Sequence, residues 1–356
     1  MKKKIIFCGG GTGGHVFPSV TLSNYFAKKK YETILLIDKR GIKYLSSDFL
    51  IYKKLDVAPY HQGILNKIFF YLKLTKAFFK SFSLLRKERP NIVFGFGGYI
   101  IFPICLAAKL LNIKIVLYES NNVLGKSNKF FVRFCEKLFT NSENVINLPK
   151  KYSTKCIKVG NVLREEIIKY KLHKKDYSNQ TKKIIILGGS QGAEIFGSII
   201  PHVILDLTRK YKINVIQQVI PKHVNEIRNI YDKNKIENYV FSFHQNILKL
   251  ISKADFAISR CGASTLGELH FLGVPFVAIP YPFATDNHQY QNAVYYENMG
   301  CCWILNQKKL TSHSLKEMLI KILDNNIELN LKRKNMLNNY SGNNFMKIEK
   351  AIEKLI

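Results

Sequence analysis

Lys3 to His15 reads KKIIFCGGGTGGH, and Lys182 to Ala193 reads KKIIILGGSQGA. Each is a short apolar run that stops at clustered glycines and leads into a helix. Glycine permits positive φ and lets the backbone approach a phosphate closely, and the helix that follows points its N–H groups and positive dipole end at the same place. Two such starts, half a chain apart, indicate two similar domains facing one another. Between and after them, strands alternate with helices. Asn91 to Phe96 leads into Gly97-Gly98-Tyr99, and Lys114 to Glu119 leads into Ser120-Asn121-Asn122. The second half continues with Asn214 to Val219, Tyr239 to Phe243, Ala254 to Ser259 and Phe276 to Pro280. Strict alternation means parallel sheet and a doubly wound α/β architecture. Ligands then lie beyond the C-terminal strand ends, where Gly9–His15, Gly97–Tyr99 and Glu119–Asn122 all fall.

A third stretch of this kind is Arg260 to Asn292, RCGASTLGELHFLGVPFVAIPYPFATDNHQYQN. A strand ending at Ser259 runs into a small-residue loop, Cys261-Gly262-Ala263-Ser264, and a short helix stops at Gly273 before Pro275. A second strand leads into a polar loop with Asp286, Asn287, His288 and Gln289. The whole suits a phosphorylated, sugar-rich small molecule. Thr265-Leu266-Gly267-Glu268 also fits a capping box, in which Glu268 serves only the helix's own N–H groups.

The chain has 356 residues, 47% of them hydrophobic, enough for two cores. A formal charge of +30 points to an anionic partner: nucleic acid, an acidic membrane surface or a polyphosphate. Solvated lysine without specific role is the alternative. Seven cysteines form no C-x-x-C pair, which fits reduced, buried thiols and offers no zinc site. No window is apolar enough for a transmembrane helix, and the N-terminal apolar run is too short for a secretory signal.

Gly9, Gly11 and Gly14 satisfy the dinucleotide fingerprint, with Asp38 at the end of Ile34–Ile37 where a ribose-binding acid belongs. A nicotinamide-dependent oxidoreductase is therefore one open reading. A nucleic-acid-binding protein is another on charge alone, although no recognised binding motif is present. His15, at the mouth of the first glycine loop, suits a general base near neutrality, or alternatively a loop cap or phosphate donor. Pro18 fits the first turn of a helix beginning near Val16.

Between Val57 and Lys87 there is no Asp or Glu. Ile64 to Lys87 reads as one long helix whose aromatics occupy more than one face, interleaved with lysines. Surplus aromatics with only basic charge resemble a helix lying on anionic lipid. The alternative is an inter-strand helix with snorkelling lysines. Lys126, Lys129, Phe130, Phe131, Arg133 and Phe134 offer a similar mixture.

Taken together, Gly10–Pro18 (GGTGGHVFP), Gly188–Ala193 (GGSQGA) and Arg260–Glu268 with His288-Gln289 resemble the peptidoglycan N-acetylglucosaminyltransferases. That family moves N-acetylglucosamine from UDP-GlcNAc to undecaprenyl-diphospho-muramoyl-pentapeptide, lipid I, giving lipid II. The resemblance runs through the whole chain in order. It implies a GT-B fold, two Rossmann-like doubly wound domains with a cleft between them, acting without metal or other cofactor. The chain has no Asp-x-Asp, in keeping with that. The implied division is 1–160 for the acceptor and membrane side, 161–335 for the donor side, and 336–356 as a C-terminal helix returning to the first domain.

Carried over residue by residue, the resemblance places Thr12, Gly13 and Gly14 beside donor and acceptor, and Asn121 in the loop after Glu119. Arg164 and Ser190 would meet the diphosphate. Ala263, Ser264, Thr265, Leu266, Gly267 and Glu268 would hold the nucleotide, with Glu268 on the ribose, and Gln289 would contact the sugar hydroxyls. Two departures stand out: His244 occupies a position where the family has an apolar residue contacting uracil through its backbone, and Gly160–Arg164 lacks the usual proline. The implied partners are UDP-GlcNAc, lipid I and an anionic membrane surface at Ile64–Lys87, with no nucleic acid. The implied place is the cytoplasmic face of the inner membrane, peripherally bound. His15 is the expected catalytic base.

Overall fold

The computed structural model describes residues 3–45, 51–57, 64–170, 180–189, 193–339 and 344–356. The chain divides into two compact units, Met1–Glu165 with Ser341–Ile356, and Glu166–Tyr340.

In the first unit the strands are β1 (Lys4–Cys8), β2 (Glu32–Ile37), β3 (Tyr52–Lys54), β4 (Ile92–Gly95), β5 (Lys114–Glu119), β6 (Lys137–Thr140) and β7 (Cys156–Lys158). The helices between them are α1 (Gly13–Lys28), α2 (Ile64–Glu88), α3 (Ile101–Leu110) and α4 (Lys126–Phe131). Every pairing is parallel, in the order β3-β2-β1-β4-β5-β6-β7, with Ile6 opposite Ile34 on one side and Val93 on the other. Because side chains alternate along a strand, β1 feeds two cores. Ile6 and Cys8 pack with Ala77, Leu85, Ile101 and Ile104 of α2 and α3, whereas Ile5 and Phe7 pack with Val16, Leu22 and Phe26 of α1. Covering on both faces explains why the strand is apolar throughout.

The second unit repeats the plan. Its strands are β8 (Thr181–Leu187), β9 (Lys212–Gln218), β10 (Asn238–Phe241), β11 (Phe256–Ser259), β12 (Phe276–Ala278) and β13 (Cys302–Ile304), in the parallel order β10-β9-β8-β11-β12-β13. Its helices are α5 (Glu194–Thr208), α6 (Val224–Lys233), α7 (Ile247–Lys253), α8 (Ala263–Phe271), α9 (His288–Asn298), α10 (Ser312–Asp324) and α11 (Asn326–Asn339). The last helix, α12 (Phe345–Glu353), belongs to the first unit. Its Ile348 and Ile352 are fully buried beside Phe26, each stabilising by about 2 kcal/mol. Glu349 accepts a 2.5 Å bond from the Tyr25 hydroxyl.

In both sheets the strand order reverses direction between the first strand and the fourth, at β1/β4 and at β8/β11. Such a switch point splays the two following loops apart and opens a ligand crevice at the C-terminal strand ends. One boundary differs from the sequence expectation. α1 starts at Gly13 rather than near Val16, so Pro18 sits in its second turn and removes the bond to the Gly14 carbonyl.

Candidate functional site

At the first switch point, the chain leaves β1 through Gly9–Thr12 and enters α1. Asp38, at the end of β2 and 2% exposed, holds this turn. One carboxylate oxygen accepts from the Gly11 and Gly41 N–H groups at 2.9 Å each, and the other is paired with Arg40, Nε at 3.0 Å and Nη2 at 2.9 Å. Four donors fill the carboxylate's capacity. Asp38 is therefore a structural clamp on the loop, not the ribose acceptor that a nicotinamide enzyme requires, and that reading loses its acid.

His15 is the third residue of α1, half-buried, with Nδ1 3.3 Å from the Gly10 carbonyl. When Nδ1 donates to that carbonyl, Nε2 carries the lone pair, the tautomer a base requires. The ring lies against the turn after β4. A Cβ on Gly97 would fall 3.0 Å from Nε2, and Gly97 and Gly98 adopt φ of +91° and +74°. Only glycine meets both demands, so the loops after β1 and β4 come together on His15. Thr12, exposed, occupies the N-cap with extended dihedrals and makes no side-chain cap bond. Gly13 and Gly14 form the first turn. A Cβ on Gly13 would lie 2.8 Å from the Phe17 ring.

After β5, Glu119 is 3% exposed and organises the next loop. Oε1 accepts from the Asn121 N–H at 3.1 Å and from its Nδ2 at 3.0 Å, while Oε2 accepts from Gly125 N–H and Asn128 Nδ2, both at 2.9 Å. Asn121 is thus aimed by a buried carboxylate. Neither Glu119 nor Asn128 is a candidate from the sequence. An acid ending a strand nine positions before an asparagine carries no periodic signal. Arg164 also falls in this unit, its guanidinium 4.8 Å from the centre of the Phe17 ring.

In the second unit, the turn after β8 places Gly188 and Gly189, the latter with φ of +80°. Ser190 lies outside the described residues. After β11, the Arg260 N–H donates to Leu187 O at 3.0 Å, and its guanidinium donates to Ile279 O at 3.1 Å while lying over the rings of Phe196 (4.8 Å) and Tyr281 (5.5 Å). Burial pushes its pKa down from the ordinary arginine value.

α8 has Gly262 as its N-cap, with Ala263, Ser264 and Thr265 forming the first turn and Leu266, Gly267 and Glu268 the second. The capping-box alternative falls here. That motif needs Thr265 outside the helix and Glu268 in the first turn. Of the expected loop, Ala263 and Ser264 are themselves helical, which moves the helix N-terminus back to Ala263. Glu268 is 6% exposed.

Gln289, on α9, ties this turn to the exit of β12. Its Oε1 accepts from the Cys261 N–H at 3.1 Å and the Tyr281 N–H at 3.0 Å. One helical turn on, buried Asn292 donates to Cys261 O at 3.1 Å, so two α9 side chains fix both backbone polar groups of one residue. Ahead of them, Asp286 and Asn287 hold left-handed conformations with φ of 52° and 54°, a strained entry of the kind found where a loop is shaped for a ligand. Asn292 is absent from the sequence candidates, although its spacing from Gln289 on a helix could have found it. His244 spends Nδ1 accepting the Asn246 N–H at 3.0 Å, and its ring packs edge-on to Tyr239 and Phe241. Among the described residues, no group of three or more His, Cys, Asp or Glu side chains is arranged to hold a metal ion.

Two parallel sheets, of order 3-2-1-4-5-6-7 in the first unit and 3-2-1-4-5-6 in the second, each with an amide-rich turn at its switch point, have the plan of the GT-B class of glycosyltransferases. Comparison with known proteins narrows this. Residues 5–140 match the glycosyltransferase family 28 N-terminal domain and residues 183–352 the glycosyltransferase family 28 C-terminal domain. The UDP-N-acetylglucosamine–N-acetylmuramyl-(pentapeptide) pyrophosphoryl-undecaprenol N-acetylglucosamine transferase of Pelagibacter ubique is 37% identical over 94% of each chain. The enzyme of the same name from Rickettsia bellii is 36% identical over 94% of this chain and 95% of its own. Among solved structures, Acinetobacter baumannii MurG superposes with a TM-score of 0.79 at 23% identity, covering 99% of both chains. The chain belongs to glycosyltransferase family 28, in the branch of these N-acetylglucosamine transferases.

Proposed function

We propose that this chain transfers N-acetylglucosamine from UDP-GlcNAc to an N-acetylmuramyl-(pentapeptide) pyrophosphoryl-undecaprenol acceptor, a step of peptidoglycan synthesis. The likeness to the Pelagibacter ubique enzyme along nearly the whole of both chains carries this reading. The finer chemistry is our proposal. The 4-hydroxyl of the muramoyl unit attacks the anomeric carbon with inversion. A new C–O bond forms as the bond to the diphosphate breaks, UDP leaves with the electron pair, and His15 Nε2 takes the hydroxyl proton. Asn121 and the Thr12–Gly14 turn line the acceptor side. Arg164, Ser190 and the first turn of α8 offset the charge growing on UDP.

On the donor side, Ala263 to Glu268 hold the nucleotide, and Glu268 accepts from the ribose hydroxyls. Among the described residues Gln289 bonds through its carbonyl oxygen, and its NH2 group serves the sugar. His244 contributes through its backbone, its ring being committed to the turn. The deciding experiment is UDP release from UDP-GlcNAc by the purified protein, expected only when the lipid-linked acceptor is added. Release at an equal rate without acceptor overturns the assignment.

The acceptor's lipid tail bears on α2. Ala77, Ser81 and Leu85 form its buried stripe, at helical spacing. Yet Phe69, Tyr71, Leu72 and Phe79 are 60–64% exposed, and an apolar groove of about 240 Å³ runs between Leu74, Phe78 and Phe79 of α2 and Phe102, Pro103 and Leu106 of α3. The side chains of residues 64–68 lie outside the described set. Near the groove, Phe130 packs on Phe102 and carries Arg133 5.1 Å above its ring. Among the described residues, no helix is long and apolar enough to cross a membrane. We propose that this face docks peripherally on anionic lipid at the cytoplasmic side of the inner membrane. Co-sedimentation with vesicles containing anionic lipid should weaken as salt rises and should drop in Phe69→Ser/Phe79→Ser. Binding indifferent to anionic lipid and salt sinks the docking role.

A further inference from the structure

The Gly160–Arg164 segment lacks a proline, and the structure shows other means of fixing it. Tyr118, at the end of β5, is 1% exposed. Its hydroxyl donates to Gly160 O at 3.2 Å and accepts from the Val162 N–H at 3.0 Å, bracketing Asn161 on both sides. A buried phenol with both its donor and acceptor capacity spent on backbone is a rigid strut. Upstream, Asn344 Nδ2 donates to Val159 O at 3.1 Å and Lys347 Nζ to Lys158 O at 2.7 Å. Val162 and Leu163 are buried, at 5% and 2% exposure. The backbone reaching Arg164 is thus held along its length within the first unit.

The side chain is held too. The Arg164 guanidinium carbon sits over the ring of Phe17, two residues beyond His15 on α1, at 4.8 Å from the ring centre, and Phe17 is wedged edge-on against Tyr44 at 5.5 Å. The absent Cβ of Gly13 makes room for the same ring. A cation–π contact fixes where a guanidinium sits, while its N–H groups make the bonds to oxygens. An aromatic ring can therefore help to place an arginine beside a phosphate.

We infer that Phe17 and Tyr118 are positioning residues for the donor: Tyr118 fixes the Gly160–Arg164 backbone and Phe17 sets the Arg164 guanidinium toward the diphosphate of UDP-GlcNAc. The inference rests on Arg164 meeting that diphosphate. A double-mutant cycle separates the two. Arg164→Ala should raise KM for UDP-GlcNAc about tenfold or more. Phe17→Leu and Tyr118→Phe should each raise it about two- to tenfold, with melting temperatures within a few degrees of wild type and acceptor KM unchanged. In the Arg164→Ala background neither should raise it further, because the group they aim is gone. Phe17→Tyr should restore the wild-type value. If Phe17→Leu raises KM by the same factor with or without Arg164, or leaves it at wild type while Arg164→Ala raises it, the positioning role is overturned. If Arg164→Ala leaves KM unchanged, the underlying assignment of Arg164 fails, and the inference with it.

Discussion

The two switch points share a topology and differ in what fills them. Between β1 and β4 stands His15, a half-buried imidazole touching the Gly10 carbonyl and closely approached by Gly97 and Gly98. Between β8 and β11 stands Arg260, buried, bonded to Ile279 O and flanked by two aromatic rings. Arginine stays protonated at neutral pH and can offer only charge and donors, whereas imidazole can take a proton and release it. Duplicated topology supplies two amide-rich turns suited to anions. Under the proposed mechanism, the residue beside each turn sets whether the unit binds charge or moves a proton. The first unit would serve the acceptor's hydroxyl and the second the nucleotide.

The sharpest way to break this division is His15→Ala. Loss of a general base is expected to lower kcat about 10²–10⁴-fold, with UDP-GlcNAc KM little changed because the imidazole is assigned to the acceptor's proton and not to the donor. The variant should fold, since the ring is half-buried and its contact with the Gly10 carbonyl, at 3.3 Å, is long. Turnover near wild type at saturating donor and acceptor would remove the proton-transfer role from the first unit and leave the two switch points chemically alike.

The contrast between the switch points is only partly legible in the sequence. Both glycine turns and the parallel, doubly wound arrangement follow from alternating apolar strands and helices, because the central strands β1, β4, β5, β8 and β11 are apolar on both faces. The clamps behind the turns do not. Asp38 reads as a ribose acid because the fingerprint concerns spacing, while its actual partners, Gly11, Gly41 and Arg40, are set by the fold of the loop. Glu119 with Asn128, and Asn292 with Cys261, are long-range pairs with no local period. The capping-box reading of Thr265–Glu268 fails for the opposite reason. The local pattern is present, but tertiary structure starts α8 at Ala263 and carries both residues inside. The aromatic surplus of α2 was legible as composition, and only its burial pattern shows which rings remain at the surface.

A smaller effect tests the donor side. Gln289 performs two jobs with two ends: its oxygen holds the Cys261 and Tyr281 N–H groups, and its NH2 is assigned to the sugar. Gln289→Leu removes both ends. The part-buried Cys261 N–H loses its acceptor while the exposed Tyr281 N–H turns to water, so a loss of about 1 kcal/mol is expected, together with a raised KM. For a unit of this size that lowers the melting temperature by roughly 2–4 °C. Gln289→Glu keeps an oxygen for both N–H groups, deletes the donor and adds a negative charge. Its melting temperature should match wild type while KM for UDP-GlcNAc rises up to about tenfold, the value of one hydrogen bond to a ligand. If Gln289→Glu binds donor as wild type does, Gln289 is a brace for the turn and nothing more, and α9 then belongs with Asp38 and Glu119 among the groups that shape the site without touching substrate.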